Sequence, residues 1–388
     1  MSRPLALALA AAWPLLGVSR AASAGEPGTA GANFLHLGAG PRAVGMGEAH
    51  VAVVDDAYAA YWNPASLSRV AYPEAAFMYN RLFQGMDQQY VAYAHPLGPG
   101  RTAAASLTRF SVAPFAAYDA NGARRGTVEA SDTAFGASYG QRLDLPWSRA
   151  PEVSVGAGGK WIRETLGPSS AQTFALDLGA SASGLDGWLG ERARGLRAAA
   201  VVRQLGPGLR HHAERARLPR EVSAGLALER RPWGDPVTFA LDYRLAEDDA
   251  ARLALGLEYR VRRVLTVRAG YLTGQDEGLG LRIGFGIALK RVTLDYALAG
   301  FGVLGSMHRF GMNVRFGGAA DLREKTADDF VLQGQRYLRQ NRTYEAILEF
   351  NQALRLDPGN PQALEGIRQA TEAMEPKRKA REGSDGTR

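Results

Sequence analysis

Few residue patterns in this 388-residue chain have the types and spacing that chemistry needs. The six histidines include one adjacent pair, His211-His212, in an arginine-rich loop. Neighbours on an extended chain point to opposite sides, so this pair is a poor two-ligand metal site and reads as solvated loop histidine. His308 and Arg309 precede the last predicted strand and suit pairing with backbone or carboxylate near the loop side better than catalysis. Neither a Gly-x-Ser-x-Gly elbow nor a His-Glu-x-x-His helix occurs. Cysteine is absent, which excludes disulfides, thiolate metal sites and lipidation of a cysteine. Gly38, Gly40, Gly45 and Gly47 with Arg42 have the outline of a phosphate cradle, yet lack its Gly-Lys-Ser/Thr ending and no strand precedes them in a βαβ unit. The expectation is a protein that is not an enzyme and holds no cofactor and no metal.

The largest polar constellation is spread over strands: Asp177, Asp242, Arg244, Arg252, Glu258, Arg260, Arg268, Arg282, Asp295 and Arg315. Each occupies the polar parity of an alternating segment. In Arg252–Val261, Leu253, Leu255, Leu257, Tyr259 and Val261 share one face, and Arg252, Ala254, Gly256, Glu258 and Arg260 the other. The pattern repeats through Leu265–Tyr271, Leu279–Leu289, Val292–Leu298 and Phe310–Phe316. Oily and wet faces of this kind suit a barrel with lipid outside and water inside. An Arg or Lys on the lipid face at midplane costs ~2–4 kcal/mol, so confinement of the charges to one face supports the assignment. Paired charges on neighbouring strands would hold a filled lumen together, a reading preferred to a selectivity filter.

These charges are positioned by elements that follow one another along the chain. Residues 1–24 read as a secretory signal peptide, with Arg3, the apolar run Leu5–Val18 and Ala22-Ser23-Ala24. No other stretch offers ~20 apolar residues, which leaves strands as the spanning option. Loss of Arg3 and Arg20 takes the formal charge from +7 to +5, spread over turns and tail, so nucleic acid is not an expected partner. Nine more strands are predicted at Glu74–Phe83, Gln88–Leu97, Arg101–Val112, Ala130–Leu143, Val153–Glu164, Gln172–Ser183, Leu196–Gln204, Pro219–Arg230 and Pro236–Ala246. The fold class is therefore an all-β transmembrane barrel (73–317) of about fourteen antiparallel strands, in the bacterial outer membrane with both ends in the periplasm. Long loops are expected at Phe115–Glu129, Gly206–Leu218 and Leu272–Gly278. The 46 glycines suit a crowded lumen and many turns.

After Phe316-Gly317-Gly318 the composition turns helical. Counting back from Pro358 places Phe330, Gly334, Tyr337, Ala346, Phe350, Ala353 and Pro358 at the signature positions of a thirty-four-residue tetratricopeptide repeat, with Gln333 in place of the usual leucine. Small residues let two helices approach, aromatics fill the gap, and Asn360-Pro361 starts a covering helix to about Met374. The small all-α module spans 318–376, sits in the periplasm and offers a contact for a periplasmic or secreted protein; 377–388 is a disordered basic tail.

Residues 25–72 precede the first strand and are sized to plug the lumen. Their glycines let the chain thread a confined space, and Asn63-Pro64 fits a helix start with Asn as cap and Pro at the first position. The block Leu37–Leu67 carries Gly38, Gly40, Arg42, Gly45, Met46 and Gly47, then Val-Ala-Val-x-Asp55-Asp56-Ala-x-Ala, then Tyr-Trp62-Asn63-Pro64-Ala65. It closely resembles the PorV/PorQ family, part of the wider group of FadL-like outer-membrane barrels. The ending Gly305–Phe316 looks like that family's last strand. The resemblance covers residues 33–316 and implies a fourteen-stranded barrel with an Asn-Pro-Ala motif in an N-terminal hatch. It implies a type IX secretion-like role, handling secreted proteins at the outer membrane. The FadL-like group implies an alternative, transport of hydrophobic small molecules. The helical appendix departs from the shortest family members. A barrel enzyme acting on lipid is disfavoured because no nucleophile constellation is present.

Overall fold

The computed structural model describes residues 29–145, 151–211, 214–232, 234–262, 264–316, 327–340 and 342–382. The segment read as a signal peptide lies outside them. Fourteen strands close a barrel: β1 (Glu74–Arg81), β2 (Met86–Gly98), β3 (Arg101–Tyr118), β4 (Arg124–Leu143), β5 (Glu152–Leu166), β6 (Ser169–Ser183), β7 (Leu196–Leu205), β10 (Glu221–Arg230), β11 (Val237–Ala246), β12 (Arg252–Val261), β13 (Leu265–Leu272), β14 (Leu281–Leu289), β15 (Val292–Gly300) and β16 (Ser306–Arg315). Every neighbouring pair is antiparallel, and β1 meets β16 with Glu74 opposite Arg315 and Arg81 opposite His308. The first and last strands thus begin and end at one rim. That rim carries the tight connections Gly98–Arg101 and Leu289–Val292 and is the turn end; the other is the loop end.

Alternation sets which way each side chain looks. Leu253, Leu255 and Leu257 on β12, Ile283, Phe285 and Ile287 on β14, and Phe174, Leu176 and Leu178 on β6 are exposed on the outside. Between them Ala254, Glu258, Arg268, Arg282 and Asp177 are buried inside. Among the described residues no helix is long and apolar enough to cross a membrane. The apolar belt is carried by strands that each pair with two neighbours in a closed ring, which is how a sheet crosses lipid.

Three local readings are corrected. The loop expected at Phe115–Glu129 is a paired hairpin, with Phe115 opposite Val128 and a turn at Asp119, whose Oδ1 accepts the Asn121 and Ala123 amides at 2.9 Å each. Along these arms the alternation of exposed and buried residues is lost, so it does not announce them. The loop expected at Gly206–Leu218 contains a separate two-stranded ribbon, β8 (Leu209–His211) and β9 (Glu214–Ala216). His308 and Arg309 lie within β16 rather than before it.

Between β6 and β7 the register breaks. Leu178 opposes Val202 but Leu176 opposes Leu205, so Asp177 faces two residues, Arg203 and Gln204. Gln204 has φ 57°, a left-handed backbone unusual without glycine, and its amide donates to Asp177 Oδ1 at 2.9 Å. The bulge thereby turns both Arg203 and Gln204 into the buried interior.

Two short helices precede β1, α1 (Pro41–Gly45) and α2 (Ala59–Trp62), and α3 (Asp186–Leu189) lies in the β6–β7 connection. The C-terminal residues form a separate compact unit of α4 (Ala327–Arg339), α5 (Thr343–Leu356) and α6 (Pro361–Glu382). Its core is Val331, Ala346, Phe350, Ala353 and Ala363, with Phe330 and Tyr337 packed against it. A methyl at Gly334 would come 2.6 Å from the Phe350 ring, so only glycine lets α4 lie that close to α5. Asn360 Oδ1 accepts the Gln362 and Ala363 amides and caps α6. Two details differ from expectation. Pro358 is exposed in the turn before α6 and packs nothing. Helix α6 also continues past Met374 and Pro376 to Glu382, because Lys377–Glu382 are strong helix formers; residues 383–388 of the expected tail are outside the description.

Candidate functional site

The segment before β1 runs through the barrel from loop end to turn end. At the loop end the Gly31 amide donates to Arg217 O at 2.8 Å, the Ala32 amide to Glu164 Oε2 at 2.9 Å, and His36 Nε2 meets Asp248 at 3.1 Å. Arg309 then donates to Leu37 O at 2.7 Å and Gln88 to Gly38 O at 3.1 Å. Midway, two successive amides of the turn are held from the wall: Asp242 Oδ2 accepts the His50 and Val51 amides at 2.7 and 2.8 Å. Near the turn end Asn63 donates to Ala180 O, Ser68 to Ser154 Oγ, and Thr102 to Val70 O.

Glycines on both surfaces make the threading possible. Gly45 crosses Gly284 with a methyl-to-Cα distance of only 3.0 Å, and a methyl on Gly47 would stand 2.5 Å from the Tyr271 nitrogen. Methyls on Gly140, Gly156 or Gly179 would overlap Asn63, Pro64 or Ala65. Gly38 and Gly40 instead face aromatic rings of the same segment, Trp62 and Tyr58. Trp62 is fully buried and donates to Ala39 O at 2.7 Å, fixing the descending and returning arms together. Asn63 Oδ1 accepts the Ala65 amide at 3.1 Å and caps the six-residue 3₁₀ helix Pro64–Arg69.

Asp242, Arg244, Glu258 and Arg282 bind this segment directly, while the other sequence-derived lumen charges pair with residues of the wall and its rims. Arg42 forks onto Glu258, Nε to Oε2 at 2.8 Å and Nη2 to Oε1 at 2.9 Å, while its Nη1 reaches Asp55 at 2.6 Å. Glu258 is also held by Arg268 at 2.8 Å and by Arg260 at 3.4 Å, and Arg268 continues to Asp295 at 2.6 Å. Glu48 bridges Arg244 and Arg282 on two separate strands. Arg244 also pairs with Glu221, which holds Arg203. Asp56 accepts the Tyr58 amide at 2.9 Å and an Asn313 donor at 3.3 Å. Arg252 pairs with Asp249 in a loop, and Arg315 with Glu74 at the rim. Asp177 pairs with Lys160 at 2.6 Å. A charge buried this deeply is stable only when paired, and here one partner of several pairs belongs to the plug.

Above the ionic layer the interior becomes apolar. Phe34 and Leu35 are buried against Ile162, Leu209 and Leu218, with Leu37 and Phe110 alongside. The ribbon β8–β9 supplies Leu209, so the loop end has a greasy mouth in which the plug's first turn is seated. Beside it Asp248 is held below the usual carboxylate range, first by its hydrogen bond from His36. His211 is half-buried next to Glu164 (3.5 Å), His212 lies outside the described residues, and His308 lies on the outer face with Nδ1 2.8 Å from the Tyr296 hydroxyl. Among the described residues no cluster of histidines and carboxylates has metal-binding geometry.

No protein-family model and no curated protein matches the chain. Solved structures do. The Ralstonia pickettii toluene transporter TbuX superposes with a TM-score of 0.51 at 13% identity, covering 72% of this chain and 99% of that one. The CymD monoaromatic hydrocarbon channel gives 0.50 at 13% identity over 73% and 98%. The barrel shares the fold of these hydrocarbon channels. At such identity the likeness concerns backbone architecture alone.

Of the site, the sequence pointed to the hatch glycines, Arg42, Asp55, Asp56 and the strand charges, and the fold brings Asp242, Arg244, Glu258 and Arg282 onto the hatch but not Asp177, Arg252 or Arg315. It missed Glu48, Glu221, Arg203, Lys160, Glu74 and Asn313. Glu48 carried no strand signal, and Arg203 sits on the bulge that shifts parity. Phe110 and Ile162 at inward parity, high on β3 and β5, were the available hint of the apolar mouth.

Proposed function

We propose that this protein is an outer-membrane barrel that passes apolar small molecules inward past an N-terminal hatch. The observation that carries it is the apolar mouth: Phe34 and Leu35 occupy a greasy seat at the loop end that an incoming hydrophobic molecule could claim. A lumen built only for ions or sugars gains nothing from burying that surface. The shared fold with a toluene transporter and a monoaromatic hydrocarbon channel supports the reading. Displacing Phe34 and Leu35 frees the first turn, and the ionic layer beneath keeps the rest of the plug registered until its pairs exchange. In cells lacking other hydrocarbon channels, expression should speed uptake of a labelled monoaromatic hydrocarbon, and Phe34→Asp should abolish the gain. Uptake equal to that of cells without the protein rejects the proposal.

A second reading has its own observation. Phe330, Tyr337, Ala346, Phe350 and Ala353 of the tetratricopeptide pattern meet in or against the core of α4–α6, and Tyr344 and Leu348 lie exposed on α5. Such a surface in the periplasm fits contact with a secreted or periplasmic protein, in keeping with the PorV/PorQ resemblance. Partner capture that vanishes on deletion of residues 323–388, with uptake unchanged, supports this role; unchanged capture removes it.

A further inference from the structure

The outer wall has a groove of about 530 Å³ whose position mirrors the plug. Its floor is a row of small residues in register on four adjoining strands, Ala227 opposite Ala240, Ala240 opposite Gly256 and Gly256 opposite Gly270. The inner side of this same row bears on the hatch: a methyl on Gly256 would stand 2.7 Å from Met46 O, and one on Gly270 would overlap Gly47. The wall is thus thin where the plug presses on it, with one backbone layer between plug and groove. Two rows of large apolar side chains form the banks, among them Leu196, Phe239 and Leu257 on one side and Leu241, Leu255 and Tyr271 on the other.

The groove also has a direction. It begins at Leu196, the first residue of β7 at the turn end, and reaches Leu281, the first residue of β14 at the loop end. Six neighbouring strands at about 4.8 Å make it roughly 24 Å long, and strand tilt carries it obliquely across the lipid belt. At the turn-end mouth Arg230, on the outer face of β10, donates to the carbonyls of Arg192 and Arg194 and fixes both residues there. Arg192 and Arg194 are exposed, and among the described residues neither side chain has a carboxylate at ion-pair distance. Asp186 and Glu191 share the connection, while Glu229 is taken up by Arg231 at 3.2 Å. Leu189 of α3 stands exposed beside them.

We propose that this groove seats one acyl chain of an anionic phospholipid from the turn-end leaflet, its phosphate held by Arg192 and Arg194. The charge is complementary to a phosphodiester and the banks to a hydrocarbon chain, whatever crosses the lumen. The lipid lies against the outside of the wall that the hatch braces from within.

The test uses the full chain in lipid nanodiscs, extracted gently and weighed by native mass spectrometry. Phosphatidylglycerol should be retained in preference to phosphatidylethanolamine. The pair Arg192→Ala with Arg194→Ala should lower phosphatidylglycerol retention at least about ten-fold, since each surface cation contributes comparably to anionic lipid attraction. Ala269→Phe, an outward residue of the groove, should exclude the acyl chain and lower retention of both lipids without touching the arginines. Equal retention of the two lipids by the native protein, or native retention by both variants, overturns the proposal.

Discussion

Replacing Arg42 by alanine removes the one side chain that joins the hatch to β12 through two parallel hydrogen bonds and to its own chain through Asp55. Glu258 is left buried but not bare, because Arg268 remains at 2.8 Å and Arg260 at 3.4 Å. Breaking a buried pair costs ~3–5 kcal/mol, and the surviving partners put this case at the lower end, about 3 kcal/mol. The Asp55 side chain is 40% exposed, so its loss of a partner adds little. About 3 kcal/mol is roughly a hundred-fold in an opening equilibrium. Amide hydrogen exchange over Ala43–Val54 should accelerate by about that factor, while α5 in the separate helical unit exchanges as before. Arg42→Lys retains the charge without the fork and should fall between. Hatch exchange within about three-fold of the native rate in Arg42→Ala would refute the claim that ion pairing latches the plug.

Other outcomes follow from the same contacts. Gly270→Val drives a side chain into the Gly47 backbone, which cannot yield, so the melting temperature of the barrel should fall; overpacking costs typically ~1–3 kcal/mol. An unchanged melting temperature would show that wall and hatch do not meet there. Phe350→Ala empties the core of the helical unit at a cost of ~3–5 kcal/mol and should reduce helical circular dichroism while the barrel keeps its heat-modifiable migration. Asp248 is depressed by its bond from His36, so its stabilisation is complete above the ordinary aspartate range and is lost as pH falls through its lowered folded value. Exchange at Phe34–Leu37 should therefore rise only below about pH 4, and Asp248→Asn should remove that acid dependence.

How legible was this molecule in its residues? The strands were plain wherever lipid demanded an oily face: Leu253, Leu255 and Leu257 alternate with buried or half-buried partners as period two requires. Alternation fell silent along the arms of the hairpin through Phe115 and Val128, which is why it read as a loop. The bulge at Gln204 was invisible for a different reason, since parity counting assumes an unbroken register. For the hatch, glycine spacing and the charges on the wall were each visible, but their mutual assignment was not. Arg42 lies 216 positions from Glu258, and nothing local to either names the other. Nor did inward charges show whether they would pair along the wall or with an inserted chain; Glu258 does both.

The path of the hatch has a consequence for how this protein can be made. A segment that starts at the loop end and leaves at the turn end is encircled by a ring whose seam joins its first strand to its last. Since β16 is the final strand to be synthesised, the ring closes last, and the thread must already lie in place or be drawn through a finished hoop past Glu48 and Arg42. Closure on a waiting thread lets the wall zip around it strand by strand, each ionic contact forming as its strand arrives. The plug is then the mandrel on which the cylinder is wound, and damage to its charges should be felt first as slow or failed insertion.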